Sequence, residues 1–86
     1  MSFTILLEHQ AEKELRSLPR QVLQRIDKLF IGLSKEPLPR GALKLKGKSI
    51  EFWRIRIGQY RVLYVVDERK KTIKVYHIKH RKEAYR

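Results

Sequence analysis

The chain has 86 residues and contains no cysteine. A chain of this length buries one hydrophobic core, so we expect a single domain over residues 1–86. The lack of cysteine excludes a disulfide framework and a thiolate metal site, and it favours a cytoplasmic protein. The opening residues Met1–Glu8 are apolar for only a few positions and carry no basic leader. We therefore expect neither a signal peptide nor a membrane span.

Positive charge dominates the composition. Lysine and arginine outnumber aspartate and glutamate by 21 to 9, which gives a formal net charge of +12. Such a surface attracts anions, and nucleic acid is the leading candidate because phosphate contacts release condensed counterions. A merely soluble basic protein is the alternative interpretation, and an acidic protein partner is compatible with both.

The first half of the chain predicts one strand followed by two helices. Residues 3–7 alternate in polarity as a short strand does. From Ala11 to Leu18 apolar residues recur at helical spacing, and Pro19 ends this helix and opens the next one. Because the two helices are joined so tightly, we expect an antiparallel helix hairpin. The apolar stripe of the second helix consists of Val22, Ile26, Leu29, Phe30 and Leu33.

The second half of the chain changes to the periodicity of strands. The predicted strands are Ala42–Lys46, Ile50–Ile57, Tyr60–Val66 and Thr72–Ile78, and a basic tail over residues 79–86 follows them. The third of these is apolar on both faces apart from Arg61, so it should be central. Helices first and strands second predict an α+β fold, with the helix hairpin packed on a twisted, mainly antiparallel sheet of about four to five strands.

A cluster of arginines is predicted at the hairpin between the second and third strands of this half. With Gly58 and Gln59 as turn residues, Arg56 pairs with Arg61, and Arg54 lies on the same face. Like charges opposite one another repel, and a bound anion would relieve the repulsion. Arginine holds phosphate oxygens in pairs and stays charged. This favours a phosphate clamp over three arginines that fan apart into solvent.

Further candidates for nucleic-acid contacts lie on either side of the hairpin. Lys44, Lys46 and Lys48 recur at every second residue, so they either extend the arginine face or protect an edge strand from aggregation. In the tail, His77 and His80 could exchange protons near neutral pH. The other candidates in the tail are Lys79, Arg81, Lys82, Tyr85 and Arg86. The scattered histidines predict no metal site, and no cofactor motif is present.

Several short motifs, in this order, resemble the RelE/ParE toxin superfamily. They are Leu15–Pro19, Leu43–Gly47, Trp53–Arg56, Tyr60–Tyr64 and His80–Tyr85, and together they cover nearly the whole chain. The resemblance implies a toxin of a type II toxin-antitoxin system. RelE-like members are ribosome-dependent endoribonucleases that cut messenger RNA in the ribosomal A site and are held inactive by the antitoxin RelB. ParE-like members instead poison DNA gyrase.

The RelE-like activity is our expectation for this chain. The resemblance places its active face on Arg54, Arg56, Arg61, Arg81 and Tyr85. The expected reaction is metal-independent attack of the RNA 2′-hydroxyl on the adjacent phosphate, with arginines stabilising the developing charge. Some relatives carry lysine where this chain has Arg54 and Arg56, and a guanidinium is a poor general base. His77, His80 or Tyr85, or the ribosome itself, would then handle the proton.

The resemblance also implies partners. They are a cognate RelB-like antitoxin, bound in a toxin-antitoxin hetero-oligomer, and the ribosome with its A-site messenger RNA. Two alternatives stay open at the level of the sequence. One is a ParE-like inhibitor of DNA gyrase, and the other is a ribosome-binding relative in which the change from lysine to arginine has weakened the chemistry.

Overall fold

A computed structural model describes residues 2–46 and 49–84, and residues 83 and 84 are described by their backbone alone. This part of the chain contains five strands and three helices. The elements are β1 Thr4–Leu7, α1 His9–Arg16, α2 Arg20–Lys35, β2 Leu43–Lys44, β3 Trp53–Ile57, β4 Tyr60–Asp67, β5 Thr72–His80 and α3 Arg81–Ala84. Within these ranges, none of the helices has the length and apolar character needed to cross a membrane.

The two predicted helices of the first half are confirmed, and Pro19 separates them. Pro19 has a φ of −57° and directly precedes the first residue of α2. That φ is the one a proline ring imposes, so the residue ends one helix and leads into the next without strain. Each helix buries one stripe, and Ala11, Ile26 and Leu33 have no exposed surface.

The sheet has the strand order β1-β5-β4-β3-β2. The predicted central strand, β4, lies in the middle of it, and the predicted α+β fold is confirmed. Neighbouring strands are antiparallel except β1, which runs parallel to β5 and pairs Thr4 with Thr72. The first strand of the chain therefore lies at one edge of the sheet, and the short β2 lies at the other.

The hydrophobic core lies between the helices and one face of the sheet. Val62 and Tyr64 of β4 and Val75 of β5 are fully buried there, and Ile55 of β3 is 8% exposed. The Tyr64 hydroxyl donates a hydrogen bond to the carbonyl of Pro37 at 2.9 Å. Burial raises the pKa of Tyr64 to about 12. The ring thus fixes the loop after α2 onto the centre of the sheet.

Three predicted boundaries need correction. The strand predicted over residues 42–46 is only Leu43–Lys44, and the next strand begins at Trp53 rather than Ile50. The last strand continues through Lys79 and His80, because the facing residues of β4 extend equally far and pair with them. The predicted tail therefore begins inside the sheet.

Candidate nucleic-acid interface

The hairpin of β3 and β4 has the predicted register. Arg56 pairs with Arg61, and Arg54 pairs with Leu63. Because side chains alternate along a strand, these arginines project from the face opposite the core residue Ile55. On the other side of β4, Arg61 pairs with Lys79. A row of cations thus crosses three adjacent strands on the face opposite the hydrophobic core.

The turn of the hairpin depends on Gly58. This residue has a φ of +58°, in the left-handed region, and an added Cβ would lie 2.8 Å from a guanidinium nitrogen of Arg25. The positive φ favours glycine at this position, whereas the flexible end of Arg25 could move to admit a Cβ. The contact also brings Arg25 of α2 against the turn. Sequence reasoning missed this residue, because helical periodicity marks it only as one of many charged positions outside the apolar stripe.

The beginning of the tail is fixed to the same turn. The backbone N–H of Arg81 donates to the carbonyl of Gln59 at 2.7 Å. Next to it, the rings of Tyr60 and His80 meet edge to face, with centroids 5.2 Å apart. The hairpin and the tail therefore form one continuous surface around the turn.

Four cations line a pocket at this junction, which we call the arginine pocket. Its lining comprises Arg56, Arg61, Arg81 and Lys82 together with Gly58, Gln59 and Tyr60, and its volume is about 450 Å³. Arg61 is only 5% exposed, whereas Arg56, Arg81 and Lys82 are open to solvent. Of the described residues, none that lines it is acidic. A concave site with this charge suits a phosphate group.

Arg54 does not line the arginine pocket. It lines an adjoining pocket of about 510 Å³, and Arg56 is the residue common to the two. The single clamp of Arg54, Arg56 and Arg61 that the sequence predicted is therefore divided between two neighbouring pockets.

The arginine pocket's described lining includes neither His77 nor His80. His80 pairs with Tyr60, so its ring lies on the face opposite Arg61. The Nδ1 atom of His80 accepts a hydrogen bond from the N–H of Lys82 at 3.3 Å, which leaves Nε2 for proton exchange. Apart from arginines, the ionisable side chains that line this pocket, among the described residues, are those of Tyr60 and Lys82. Tyr60 also packs against the hydrophobic core, so one side chain serves both the core and the pocket lining.

Glu14 of α1 holds the outer edge of β5 beside the site. Its Oε1 atom accepts a hydrogen bond from the backbone N–H of Ile78 at 2.8 Å. The same carboxylate lies 3.6 Å from Nδ1 of His77 and 3.7 Å from Nζ of Lys79, and it is only 14% exposed. No local sequence pattern predicts this contact, because it joins residues 64 positions apart in the chain. Glu14 thus takes the place of a neighbouring strand along this part of β5.

The lysines before the hairpin need a partial correction. Lys44 pairs with Trp53, so it projects from the face opposite Arg54, and its Nζ lies 2.7 Å from a carboxylate oxygen of Glu51. The expectation that it extends the arginine face is wrong, because the register of β2 turns it away. Lys46 lies beyond the strand and is exposed. The predicted contacts Lys48, Tyr85 and Arg86 lie outside the described residues.

Histidine, aspartate and glutamate side chains do not form any group of three or more that could hold a metal ion, in the ranges 2–46 and 49–84. The ionisable groups are instead distributed between the two faces of the sheet. His77 lies on the face of Arg61, next to Leu63, and His80 lies on the core face. The chemistry that the site can offer is therefore the binding of anions by guanidinium groups, with a phenol and an ammonium group beside them.

Comparisons with known proteins identify the family. A sequence model of the ParE toxin of the type II toxin-antitoxin system parDE matches residues 5–85. The protein named toxin RelE1 in Methanocaldococcus jannaschii is 34% identical over 89 residues, which covers 100% of this chain and 98% of that protein. Toxin RelG of Mycobacterium tuberculosis is 31% identical over 87 residues, which covers 100% of this chain and 99% of that toxin.

Solved structures have the same fold. A chain of the archaeal RelE-RelB complex from Pyrococcus horikoshii superposes with a TM-score of 0.83 at 34% identity, covering 94% of this chain and 97% of that one. The isolated RelE toxin of E. coli gives a TM-score of 0.80 at 22% identity, with 98% and 96% covered, and this likeness concerns the fold alone. The chain belongs to the RelE/ParE toxin superfamily and is a toxin of a type II toxin-antitoxin system.

Proposed function

We propose that this toxin is a ribosome-dependent endoribonuclease that cleaves messenger RNA in the ribosomal A site and so stops translation in the cytoplasm. The observation that carries the proposal is the arginine pocket, in which Arg56, Arg61, Arg81 and Lys82 converge where the hairpin meets the tail. A phosphate in this pocket would accept several charge-assisted hydrogen bonds at once. Guanidinium groups also match the paired oxygens of a phosphodiester.

The proposed reaction is an internal transesterification of RNA. The 2′-hydroxyl oxygen bonds to the adjacent phosphorus, the bond to the 5′-oxygen breaks, and the products are a 2′,3′-cyclic phosphate and a 5′-hydroxyl. The 2′-hydroxyl loses one proton and the 5′-oxygen gains one. Arg61 and Arg81 stabilise the negative charge of the pentavalent transition state, and a well-placed donor of this kind contributes about 3 kcal/mol. No metal or cofactor takes part.

Proton transfer falls to groups other than the arginines, because a guanidinium keeps its proton at any relevant pH. Tyr60 and Lys82 line the pocket and can donate a proton to the leaving 5′-oxygen. The proton of the 2′-hydroxyl passes to a base, for which we propose the imidazole of His80, whose ring contacts Tyr60, or a group of the ribosome. Tyr85 stays a predicted contact that stacks on a base of the message.

The proposal can be tested with translating ribosomes programmed with a defined message. We expect the purified toxin to cut the message within the A-site codon, and mapping of the RNA ends locates the cut. Arg81→Ala should lower the cleavage rate by about a hundredfold or more, as the loss of a transition-state donor does. Arg69→Ala, which removes an exposed cation in the turn before β5, is the matched control and should cleave normally. Intact message after incubation with the wild-type toxin would refute the proposal.

A ParE-like inhibition of DNA gyrase is the second candidate, because the family model that matches residues 5–85 is that of ParE. A supercoiling assay with purified gyrase separates the two functions. Arrested gyrase together with intact message supports the second candidate. A toxin that binds ribosomes but neither cuts RNA nor arrests gyrase would be the catalytically weak relative.

We also propose that a RelB-like antitoxin binds this toxin in a hetero-oligomer and holds it inactive. Two observations support this proposal: chains of similar fold occur in RelE-RelB complexes, and the net charge of +12 favours an acidic partner. The test is titration of the toxin with the product of a neighbouring acidic reading frame. Cleavage should stop at a fixed ratio of the two proteins, and cleavage that continues at every ratio would contradict this partnership.

A further inference from the structure

The loop between α2 and β2 holds Arg40 beside the face of the arginines. The N–H of Ala42 donates to the carbonyl of Pro39 at 3.1 Å, and Gly41 has a φ of +100°. These two features define a type II turn with glycine at its third position. Arg40 occupies the second position, where the backbone is fixed while the side chain projects outward. The turn therefore fixes the point from which this guanidinium reaches the sheet.

Arg40 completes the second pocket, which we call the Arg40 pocket. Its lining comprises Arg40, Arg54 and Arg56 together with Gly41, Leu43 and Ile55. In the described part of the chain no acidic residue lines it. Three guanidinium groups around one cavity repel one another, and an anion between them removes that repulsion. Leu43 is 53% exposed, so it supplies an apolar wall against which a ribose or a base can lie.

The Arg40 pocket and the arginine pocket are neighbours, because Arg56 lines both. Arg54 and Arg56 lie on one face of β3, about 7 Å apart along the strand. A single strand of nucleic acid that follows β3 would present successive phosphates to successive pockets. The second cavity is therefore in the position that the neighbour of a phosphate in the arginine pocket would occupy.

We propose that the Arg40 pocket binds the phosphate next to the scissile one, so that the toxin holds two consecutive phosphates of single-stranded RNA. This inference rests on the proposed function, because it takes the arginine pocket as the place of the scissile phosphate. Arg40 is then a binding residue that positions the RNA backbone. Its contribution is the same for every base sequence, since phosphate contacts carry no sequence information.

The test compares two RNA ligands that cannot be cleaved because each ribose carries a 2′-O-methyl group. One is a dinucleotide with a single phosphate, and the other is a trinucleotide with two. Their dissociation constants for the full chain are measured over a range of salt concentrations. We expect Arg40→Ala to weaken binding of the trinucleotide about tenfold, which corresponds to one lost charge-assisted hydrogen bond. The slope of log K against log salt should fall by about 0.7, as for one phosphate contact to a single strand.

The dinucleotide is the internal control, because its one phosphate can occupy the arginine pocket and should bind Arg40→Ala as it binds the wild type. Arg69→Ala, which also removes one cation, should change neither ligand. Arg40→Lys keeps the charge without the planar fork, so it should retain the salt slope and lose part of the affinity. Circular dichroism confirms that each variant is folded.

Three outcomes would overturn the inference. Equal losses for the two ligands would mean that Arg40 acts on the whole surface by charge alone. If Arg40→Ala binds the trinucleotide as tightly as the wild type does, the Arg40 pocket does not bind an RNA phosphate. A peptide of ten glutamates is measured beside the RNA ligands, and a loss of affinity confined to this peptide would assign the pocket to an acidic protein partner. If the wild type cleaves messenger RNA while one of these outcomes holds, the inference alone fails. A wild type that neither cleaves RNA nor binds either ligand contradicts the proposed function itself.

Discussion

The two halves of β5 differ in what lies along their outer side. Residues 72–75 have β4 on one side and β1 on the other, so the sheet continues in both directions. Residues 76–80 have β4 on one side only, and the group that bonds to the other side, among the described residues, is the carboxylate of Glu14. The register with β4 also shifts by one residue at this point.

The two halves of β5 therefore contribute to different parts of the molecule. The first half contributes to the core through Ile73 and Val75, both fully buried. The second half carries Lys79 and His80 and leads directly to Arg81. A strand edge that is not covered by another strand leaves its backbone groups accessible to a partner. The molecule thus places its candidate site where the regular pairing of the sheet ends.

The largest effects should come from removing the core residue of each half. Ile73 is fully buried and Ile78 is 2% exposed, so Ile73→Ala and Ile78→Ala should each lower the free energy of unfolding by about 2–5 kcal/mol. Only Ile78→Ala should also slow RNA cleavage per folded molecule at low temperature, because its cavity lies close to Arg81. Urea denaturation measures the first effect and RNA-end mapping the second. Equal cleavage rates in the two folded variants would contradict this separation.

Substitution of Glu14 tests whether its carboxylate holds the outer edge of the second half of β5. In Glu14→Ala the N–H of Ile78 loses its acceptor, which should cost about 1–3 kcal/mol and speed amide exchange at Ile78. Glu14→Gln still offers a carbonyl oxygen and should retain most of the stability and the protection. Hydrogen exchange followed by NMR gives the comparison. Identical exchange in the two variants would show that this carboxylate does not hold the strand.

Tyr64 connects the first half of β5 to the loop after α2, since it pairs with Val75 and its hydroxyl donates a hydrogen bond to the carbonyl of Pro37. Its pKa is raised from 10.0 to about 12 by burial, so folding favours the neutral phenol. The stabilisation is present below pH 10 and should be lost as the pH rises towards about 12. Tyr64→Phe should remove this alkaline transition at a cost of about 1 kcal/mol at neutral pH. Thermal melts from pH 8 to 12 provide the measurement, and an alkaline transition that persists in Tyr64→Phe would contradict this assignment.

The smallest effect should lie at the turn that begins β5. The N–H groups of Lys70 and Arg69 donate to the carboxylate of Asp67, and these bonds lower its pKa below 3.8. The stabilisation is present above pH 3.8 and is lost as the pH falls through the lowered pKa. Asp67→Asn keeps the acceptor oxygen and should give a flatter stability curve in acid. Thermal melts of the wild type and of Asp67→Asn between pH 2 and 5 would detect this difference. If the two stability curves coincide, the acid sensitivity does not come from Asp67.

Features set by neighbours in the sequence could be predicted. The two helices on either side of Pro19 follow from local spacing and a fixed φ. The pairing of Arg56 with Arg61 follows from a two-residue turn, and the structure has the same register. The alternation that suggested a long strand at residues 42–46 was misleading, because only two of these residues pair and the rest of the pattern has no neighbouring strand.

Features that join distant parts of the chain could not be predicted. The contact of Glu14 with Ile78 spans 64 positions, and no periodicity marks either residue as a partner of the other. Arg40 stands in a loop whose composition predicts a turn without showing which surface the turn approaches. The sequence does not show that β5 extends as far as His80. Because His80 belongs to the strand and pairs with Tyr60, alternation places its imidazole on the face opposite Lys79 and Arg61.

The parallel pairing of β1 with β5 has a consequence for how the toxin is made. The first strand of the chain finds its neighbour only in the last, so the sheet cannot close until residues 72–80 have been synthesised. Such long-range pairing slows folding, and until then the edges of β1 and β4 stay unpaired and prone to aggregation. A chain that stops before β5 would lack both its fold and Arg81. The toxin therefore cannot do harm before the residues of β5 and Arg81 have been synthesised.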